Sequence, residues 1–451
     1  MCSDTRPVDP DGLLLRPDMD GARETLVSPG RLSTRQLLAI SAYWLGTNLH
    51  WMALLMVIMP AQIEQIAPQS KSAANGVILG VGALLAAIVP AFAGALSDRC
   101  MSRWGRRRPY LAAGVAVNIV GLLALWYAGF ERSLPLYLLG YLVIQLGNGT
   151  AGGAYSGVIP DIVPESQYGE ASGYTAAFSQ IGNIIGGFGA GYLMGRGYVA
   201  ASFAAIGITL ALSLIVTLMG THERPLRAAP PPFSFSKLLK SFWIDPREHP
   251  DFAWVWITRA LVTLGIWTIQ PQIQYYLEDV VGVKNPQLMS GMLLGVILIG
   301  ATITGLIGGL VSDRVGRKRV VYIANTMIAI TMVAFCFGHS LLYTFLVGMF
   351  FGLGLGAYYS VDWALGCAVL PDREHNAAKD MGVWHISMTL PQSIAPALAG
   401  LVLTLLPHHL SPGPSGPIVH YSVIGYDALF LITAVFLLLG AVLIRNVRSV
   451  Q

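Results

Sequence analysis

Charge is what this sequence lacks. Only 12% of its 451 residues are Asp, Glu, Lys or Arg, about half the roughly 25% of soluble domains. That deficit excludes a water-soluble enzyme, a disordered chain and a nucleic-acid-binding module. Cysteine is scarce too: Cys2, Cys100, Cys336 and Cys367 show no paired spacing, which argues against structural disulfides and zinc. There is no Gly-x-x-x-x-Gly-Lys-Ser/Thr loop, so ATP is not the energy source. His408-His409 sits in a Pro/Gly loop without partner ligands, and the scattered Ser, His and Asp form no nucleophile motif. Neither a metal, a cofactor nor an enzyme is expected. Residues 1–33 have no apolar core and read as a disordered cytoplasmic tail rather than a secretory signal.

Apolar residues fill the space that charge leaves. They make up 54% of the chain, and 50 glycines accompany them, as close helix packing in lipid requires. Six apolar windows (36–59, 73–96, 110–129, 134–159, 171–193, 199–219) precede a polar stretch, and six more follow it (252–276, 289–310, 320–338, 341–369, 381–406, 426–444). Each is long enough to cross a bilayer, and lipid forces such segments to be helices. The ten-residue alternation of a membrane β-barrel is missing. The expected fold is an all-α membrane protein of 12 transmembrane helices. A six-helix bundle spans 34–219, a cytoplasmic linker 220–250, a second bundle 251–445 and a tail 446–451. Within the linker, Lys237 and Lys240 suggest a short amphipathic helix.

Basic residues orient the chain. With both termini in the cytoplasm, 23 of the 28 Lys and Arg fall on that side. Lys71, Arg132, Arg196 and Lys284 fall on the other, and Arg259 lies within a span. Such asymmetry is expected where cytoplasmic loops retain positive charge.

The two halves echo each other. Gly94-Ala-Leu-Ser-Asp98-Arg99 after the second span returns as Gly309-Leu-Val-Ser-Asp313-Arg314 after the eighth, each leading to a basic cluster at Gly105-Arg106-Arg107-Arg108 or Gly316-Arg317-Lys318-Arg319. Gly147-Asn-Gly149 precedes Tyr155 and Asp161; Gly352-Leu-Gly354-Leu-Gly356 precedes Tyr358 and Asp362. Two related six-helix halves are the plan of a transporter built from parallel repeats. The loop at 309–318 resembles the signature loop of the major facilitator superfamily. Its longer counterpart, 97–110, is similar to that of the sucrose/proton symporters and other glycoside–pentoside–hexuronide:cation symporters. The resemblance implies two pseudo-symmetric bundles about a cavity lined by the first, fourth, seventh and tenth spans. Sucrose symporters carry an Arg a few residues before the aspartate that matches Asp161; Tyr155 and Ser156 stand in that region here, so sucrose itself is not implied.

The loops suggest a gate. Glycines 94 and 309 let helices approach, and Asp98 or Asp313 can accept from the N-terminal amides of a neighbouring helix, where the dipole favours negative charge. Arg99, Arg106, Arg314 and Arg317, beside Gly105 and Gly316, then complete a charge clasp on the cytoplasmic side. The alternative role is a topology anchor.

Ionisable groups inside spans are expensive and mark function. Arg259 lies 7 residues into the seventh span, and Asp362 lies 8 residues before Leu370 in the tenth, depths of about 10 and 12 Å from the same face at ~1.5 Å per residue. If both face the cavity they pair, with Asp362 as the proton-coupling carboxylate and Arg259 as its counter-ion. A static pair that fixes register is the alternative. Asp161 is the second coupling candidate, or a solvated end residue.

Sugars need amides for their hydroxyls and aromatic faces for the ring. The candidate spans supply Asn48, His50, Trp51, Gln145, Asn148, Tyr155, Gln180, Asn183, Trp267, Gln270, Tyr358, Trp363, Trp384 and His385. Individually each also fits a role in interhelical glue or an interfacial belt. The favoured reading is proton- or sodium-coupled import of a sugar or glycoside by a monomer in the bacterial inner membrane. Proton-driven export of amphiphilic molecules is the alternative. Drug antiporters resemble one another in a Gly-Pro pair in the fifth span, where this chain has Ile185-Gly186-Gly187. A transporter-shaped receptor would need longer tails. On the clasp reading, Asp98→Asn loses transport while expression persists; unaltered uptake by membranes of normal protein content would reject the clasp.

Overall fold

The computed structural model describes residues 31–221, 223, 244–370, 377–413 and 417–448. The two end tails and most of the linker, including Lys237 and Lys240, lie outside the described residues. Helix α1 (Thr34–Ala53) runs through a π-helical turn (Leu54–Ile58) into α2 (Met59–Ile66). Then come α3 (Lys71–Ser97), α4 (Arg108–Phe130), α5 (Leu134–Tyr155), the short α6 (Val158–Ile162), α7 (Tyr168–Gly195) and α8 (Val199–Gly220). The second half holds α9 (Pro250–Ile269), a 3-10 turn (Gln270–Gln272), α10 (Ile273–Asp279), α11 (Pro286–Val315), α12 (Arg317–Phe335), α13 (Leu341–Ala368), α14 (Ala377–Leu405) and α15 (Val423–Leu443).

Local chemistry sets these ends. Ser33 caps α1 in a reciprocal box with Gln36, and Ser340 and Ser422 cap α13 and α15, each satisfying an amide that the first turn leaves free. Prolines open α4, α5 and α9, where no donor is needed. Pro271 supplies no N–H to continue the ladder, so α9 breaks at Gln270. Pro60 likewise follows the π turn.

Ten of these stretches are long and apolar enough to cross a membrane. Helices α5 and α7 are as long, but Gly, Asn, Gln and Tyr dilute their aliphatic residues. The first window overshoots its expected end and continues to Ile66; the fourth stops at Tyr155 rather than Ile159. A further departure is a two-stranded antiparallel hairpin, β1 (His408–Ser411) with β2 (Ile418–Tyr421), which pairs His409 with His420. The His408-His409 pair is therefore strand, and its neighbour histidine comes from the returning strand.

Two hydrophobic cores form. One gathers residues from Leu37 to Leu210 with Leu294, the other residues from Phe252 to Val447. Trp267 and Ile273 pack against both. Within the first half α1 packs on α7 and α8, α3 on α5, and α4 on α5 and α8; in the second, α9 packs on α14 and α15, α11 on α13, and α12 on α13 and α15. Helices α3 with α14, and α7 with α11, join the halves.

Glycine makes the closest of these contacts. A Cβ at Gly182 or Gly186 would come within 2.5 Å of the Leu45 or Leu49 carbonyl, so α1 and α7 touch backbone to backbone. At Gly147 a Cβ would overlap the Asn118 amide nitrogen of α4. Overpacking of this kind costs about 1–3 kcal/mol, so Gly147→Ala should lower the melting temperature in detergent. Gly207→Ala, at a site with open space, should not; equal melting of the two variants would contradict the packing.

Candidate functional site

A buried charge pair joins α9 to α13. Arg259 Nε lies 3.0 Å from Asp362 Oδ2, with side chains 6% and 7% exposed. Tyr358, one helical turn before Asp362 and so on the same face, donates its hydroxyl to Asp362 Oδ1 at 3.0 Å. The guanidinium also donates to the Trp384 carbonyl at 3.1 Å and lies 4.4 Å from the centre of the Trp384 ring. Both oxygens of the carboxylate are thus occupied, which is the condition for holding it in a dry interior. Residues 103 positions apart in sequence meet because their helices cross the second core at matching depth.

A second cluster stands at the end of the molecule that carries the basic loops. Its hub is Arg107, 6% exposed. The guanidinium pairs with Asp98 and with Asp161, whose Oδ2 is 3.0 Å from Nε. It also reaches Ser97 Oγ at 2.7 Å and the Gly94 carbonyl at 3.4 Å. Arg106 pairs with Asp161 as well. The Arg107 amide donates to Glu223 at 2.8 Å, yet partial burial raises that carboxyl above its ordinary range. Gly105 takes a φ of +101°, and a side chain there would strike Glu223. Asp98, expected to accept from helix amides, instead meets a guanidinium, because the loop folds Arg107 back beneath the end of α3. Asp161 belongs to this cluster rather than to the Arg259 pair. Arg99 turns to the Ala95 carbonyl of its own helix. In the second half, Gly316 starts α12 with a φ of +96° and Arg314 ends α11. Arg317 opens α12. Gly309 and Asp313 sit on the last turns of α11, and the Asp313 side chain falls outside the described residues.

The far end is held by a third cluster. Lys71 is fully buried, and its Nζ meets Glu64 at 2.7 Å, Asp279 at 3.2 Å and Glu278 at 3.4 Å. Asp279 also takes His420 Nδ1 at 2.8 Å and the Tyr426 hydroxyl at 2.8 Å. Neutral bonds surround it: Ser72 Oγ to Gln272 at 3.0 Å, the Tyr275 hydroxyl to the Pro60 carbonyl at 3.0 Å, and the Val419 amide to the Pro68 carbonyl at 2.9 Å. Each of these three neutral bonds crosses between the halves, as do the Lys71 pairs with Glu278 and Asp279. The expected site residues omit this cluster and Arg107. The only signal for Lys71, Glu64 and Asp279 is charge at span ends on the charge-poor side.

The polar candidates divide by partner. Asn48 donates to the Trp44 carbonyl at 2.8 Å, Gln145 to the Tyr141 hydroxyl at 2.8 Å, and Tyr155 to the Ile40 carbonyl at 2.8 Å while stacking on Tyr43. Gln180 bridges to Thr302 of α11 and accepts from Asn183, both at 3.3 Å. His50 is fully buried beside Trp51, with no hydrogen bond at either ring nitrogen. Trp384 lies beneath Arg259. Asn148, Trp51, Trp267 and Gln270 keep partial exposure. The side chains of Trp363 and His385 fall outside the described residues. A small pocket in the second half, touched by the first half only at Met52, has a largely apolar wall that includes Ile266, Leu294, Phe335 and Phe430, with Gln270 and Gln272 among its few polar groups.

Residues 36–298 and 255–450 match the family model of the Major Facilitator Superfamily. The chain belongs to that superfamily of transporters. It is 24% identical to the sucrose transport protein SUC4 of Arabidopsis thaliana over 189 residues, 38% of this chain but only 36% of that protein. It is also 24% identical to the multidrug resistance protein MdtG of Citrobacter koseri over 311 residues, 66% of this chain and 72% of that protein. Among solved structures, a bacterial homologue of the lysosomal transporter Spinster, inward-facing and unoccupied, superposes with a TM-score of 0.69 at 16% identity, covering 93% of this chain and 98% of that one. The D-xylose-proton symporter gives 0.62 at 16% identity over 90% and 97%. The solved structures carry the fold alone; the family match makes the chain a multi-pass membrane transporter.

In such a transporter, bonds between the halves at one end oppose opening there. Removing one partner of a buried ion pair costs about 3–5 kcal/mol, and each 1.4 kcal/mol is tenfold in an equilibrium. Lys71→Met should therefore raise maleimide labelling of a Cys placed at Gln270, from the Lys71 side and in a cysteine-free background, by at least tenfold. Unchanged labelling would exclude a holding role.

Proposed function

We propose that this protein is a cation-coupled secondary transporter, most consistent with proton-driven uptake of a sugar or glycoside. Twelve transmembrane helices in two pseudo-symmetric bundles, 34–219 and 251–445, rock about a central cavity, with both termini in the cytoplasm of a bacterial inner membrane. The observation that carries this reading is the Arg259–Asp362 pair. A carboxylate buried among helices, matched by one guanidinium and one tyrosine, can exchange its partner for a proton, and the freed guanidinium then has different neighbours. That exchange is the differential contact a coupled cycle needs. Partly exposed Trp51, Asn148, Trp267 and Gln270 offer the amide and aromatic groups a sugar requires. The cluster of Asp98, Arg106, Arg107 and Asp161 acts as the cytoplasmic clasp of the first half. The Lys71 cluster ties the two halves together at the opposite side.

Export of amphiphilic molecules is the second reading, favoured by the largely apolar wall of the pocket and the longer match to MdtG. Proteoliposomes separate the two: labelled sugars accumulate against an imposed proton gradient on the first, whereas dyes leave and sugars do not accumulate on the second. On the coupling reading Asp362→Asn abolishes gradient-driven accumulation but preserves exchange of internal for external substrate. The unpaired Arg259 lowers stability by about 3–5 kcal/mol, and adding Arg259→Gln restores stability without restoring accumulation. Accumulation that survives Asp362→Asn would remove the coupling role.

A further inference from the structure

The pocket of the second half, which Met52 of the first half touches, has a wall that a sugar does not explain. Phe335 and Phe430 stack at 5.0 Å with an interplanar angle of 12°. Tyr276 stands edge-on to both, 6.1 and 5.3 Å away, and Tyr426 closes the corner 5.4 Å from Tyr276. Ile266, Leu293, Leu294, Ile297, Met332 and Leu355 are further buried residues of the lining. Met52, Ile269, Gln270 and Leu298 line it too but are only partly buried, which makes them its rim. A sugar ring pushed past that rim would lose water from its hydroxyls and find almost no replacement partners. Flat apolar groups lose nothing there and meet aromatic edges and faces in the geometry such rings prefer.

Two polar atoms of the lining, the Tyr276 hydroxyl and Gln272 Nε2, have no hydrogen-bond partner among the described residues. Gln272 is fully buried, and Ser72 occupies its Oε1, yet its Nε2 has no hydrogen-bond partner. A buried amide donor left unpaired is costly, and an ether or phenolic oxygen next to a flat ring would satisfy it. We propose that this chamber is an aglycone subsite: the transported molecule is a glycoside bearing a flat aromatic group, which enters the Tyr276–Phe335–Phe430 box while its linking oxygen accepts from Gln272. The proposal rests on the sugar or glycoside reading for the other half of the ligand. The edges and faces that Tyr276, Phe335 and Phe430 present favour a flat ring over a bulky aliphatic group.

The test compares phenyl β-glucoside with methyl β-glucoside, which differ only in the apolar group, in proteoliposomes of the full chain. Wild-type protein should favour the phenyl compound at least tenfold in kcat/KM. Leu355→Phe, which fills the chamber, and Gln272→Leu, which removes the donor, should each cut that ratio fivefold or more. Equal handling of the two glucosides, or a ratio untouched by both variants, would overturn the subsite. Transport of neither glucoside would count against the sugar reading alone, and binding of 2-naphthol to the protein in nanodiscs then decides the chamber. Binding at least tenfold weaker in Leu355→Phe supports an apolar subsite; binding unchanged by that substitution overturns it.

Discussion

A charge removed from water must find an opposite charge with its lone pairs and protons filled, or the fold pays several kcal/mol for it. Three clusters obey this rule and together organise the molecule. At the basic end Arg107 gathers Asp98 and Asp161, in the middle Arg259 holds Asp362, and at the far end Lys71 faces Glu64, Glu278 and Asp279. The first two are internal to one half each. Of the three only the last joins the halves, so it is the ionic cluster that resists their separation.

That division has mechanical meaning. Bonds that cross between halves gather where α1–α2 and α9–α10 are broken by a π turn and a 3-10 turn, at Leu54–Ile58 and Gln270–Gln272. The two breaks touch, and Gln274 faces the Val57 carbonyl and the Ala61 amide from across the gap. Interrupted helices of this sort free backbone groups beside a cavity, and here those groups are taken up by the opposite half. Opening the far end then means exchanging Tyr275–Pro60, Ser72–Gln272 and the Lys71 pairs for water. Neutral bonds are cheap to exchange and buried ionic ones are not, so Lys71 sets the larger part of the barrier.

The pocket lining is amphiphilic. Gln270, which keeps partial exposure, and the buried Gln272 lie beside a wall of Phe, Tyr, Leu and Ile. A ligand with a polar and an apolar face meets both surfaces, whereas a bare sugar or a wholly apolar molecule meets one. Likeness to both a sucrose transport protein and a multidrug resistance protein is compatible with such a lining.

Hydropathy and charge pattern alone give the helical class and the basic loops, and the duplicated Gly-x-x-x-Asp-Arg loop leads to the superfamily. Lipid makes that possible, since it leaves a spanning segment one way to satisfy its backbone, and local composition therefore decides it. Depth counting along two helices also brings Arg259 and Asp362 to one level. What local pattern cannot contain is which faces meet. His50 and Asn48 look alike as cavity donors, yet one is sealed and the other bonds its own helix. Arg107 differs from Arg106 and Arg108 only in where the loop turns it. Lys71 and Asp279, 208 positions apart, read as ordinary span-end charges until two halves close over them. Helix formation is decided within a segment; partner choice for a buried charge is decided between segments, by packing that only the assembled fold possesses.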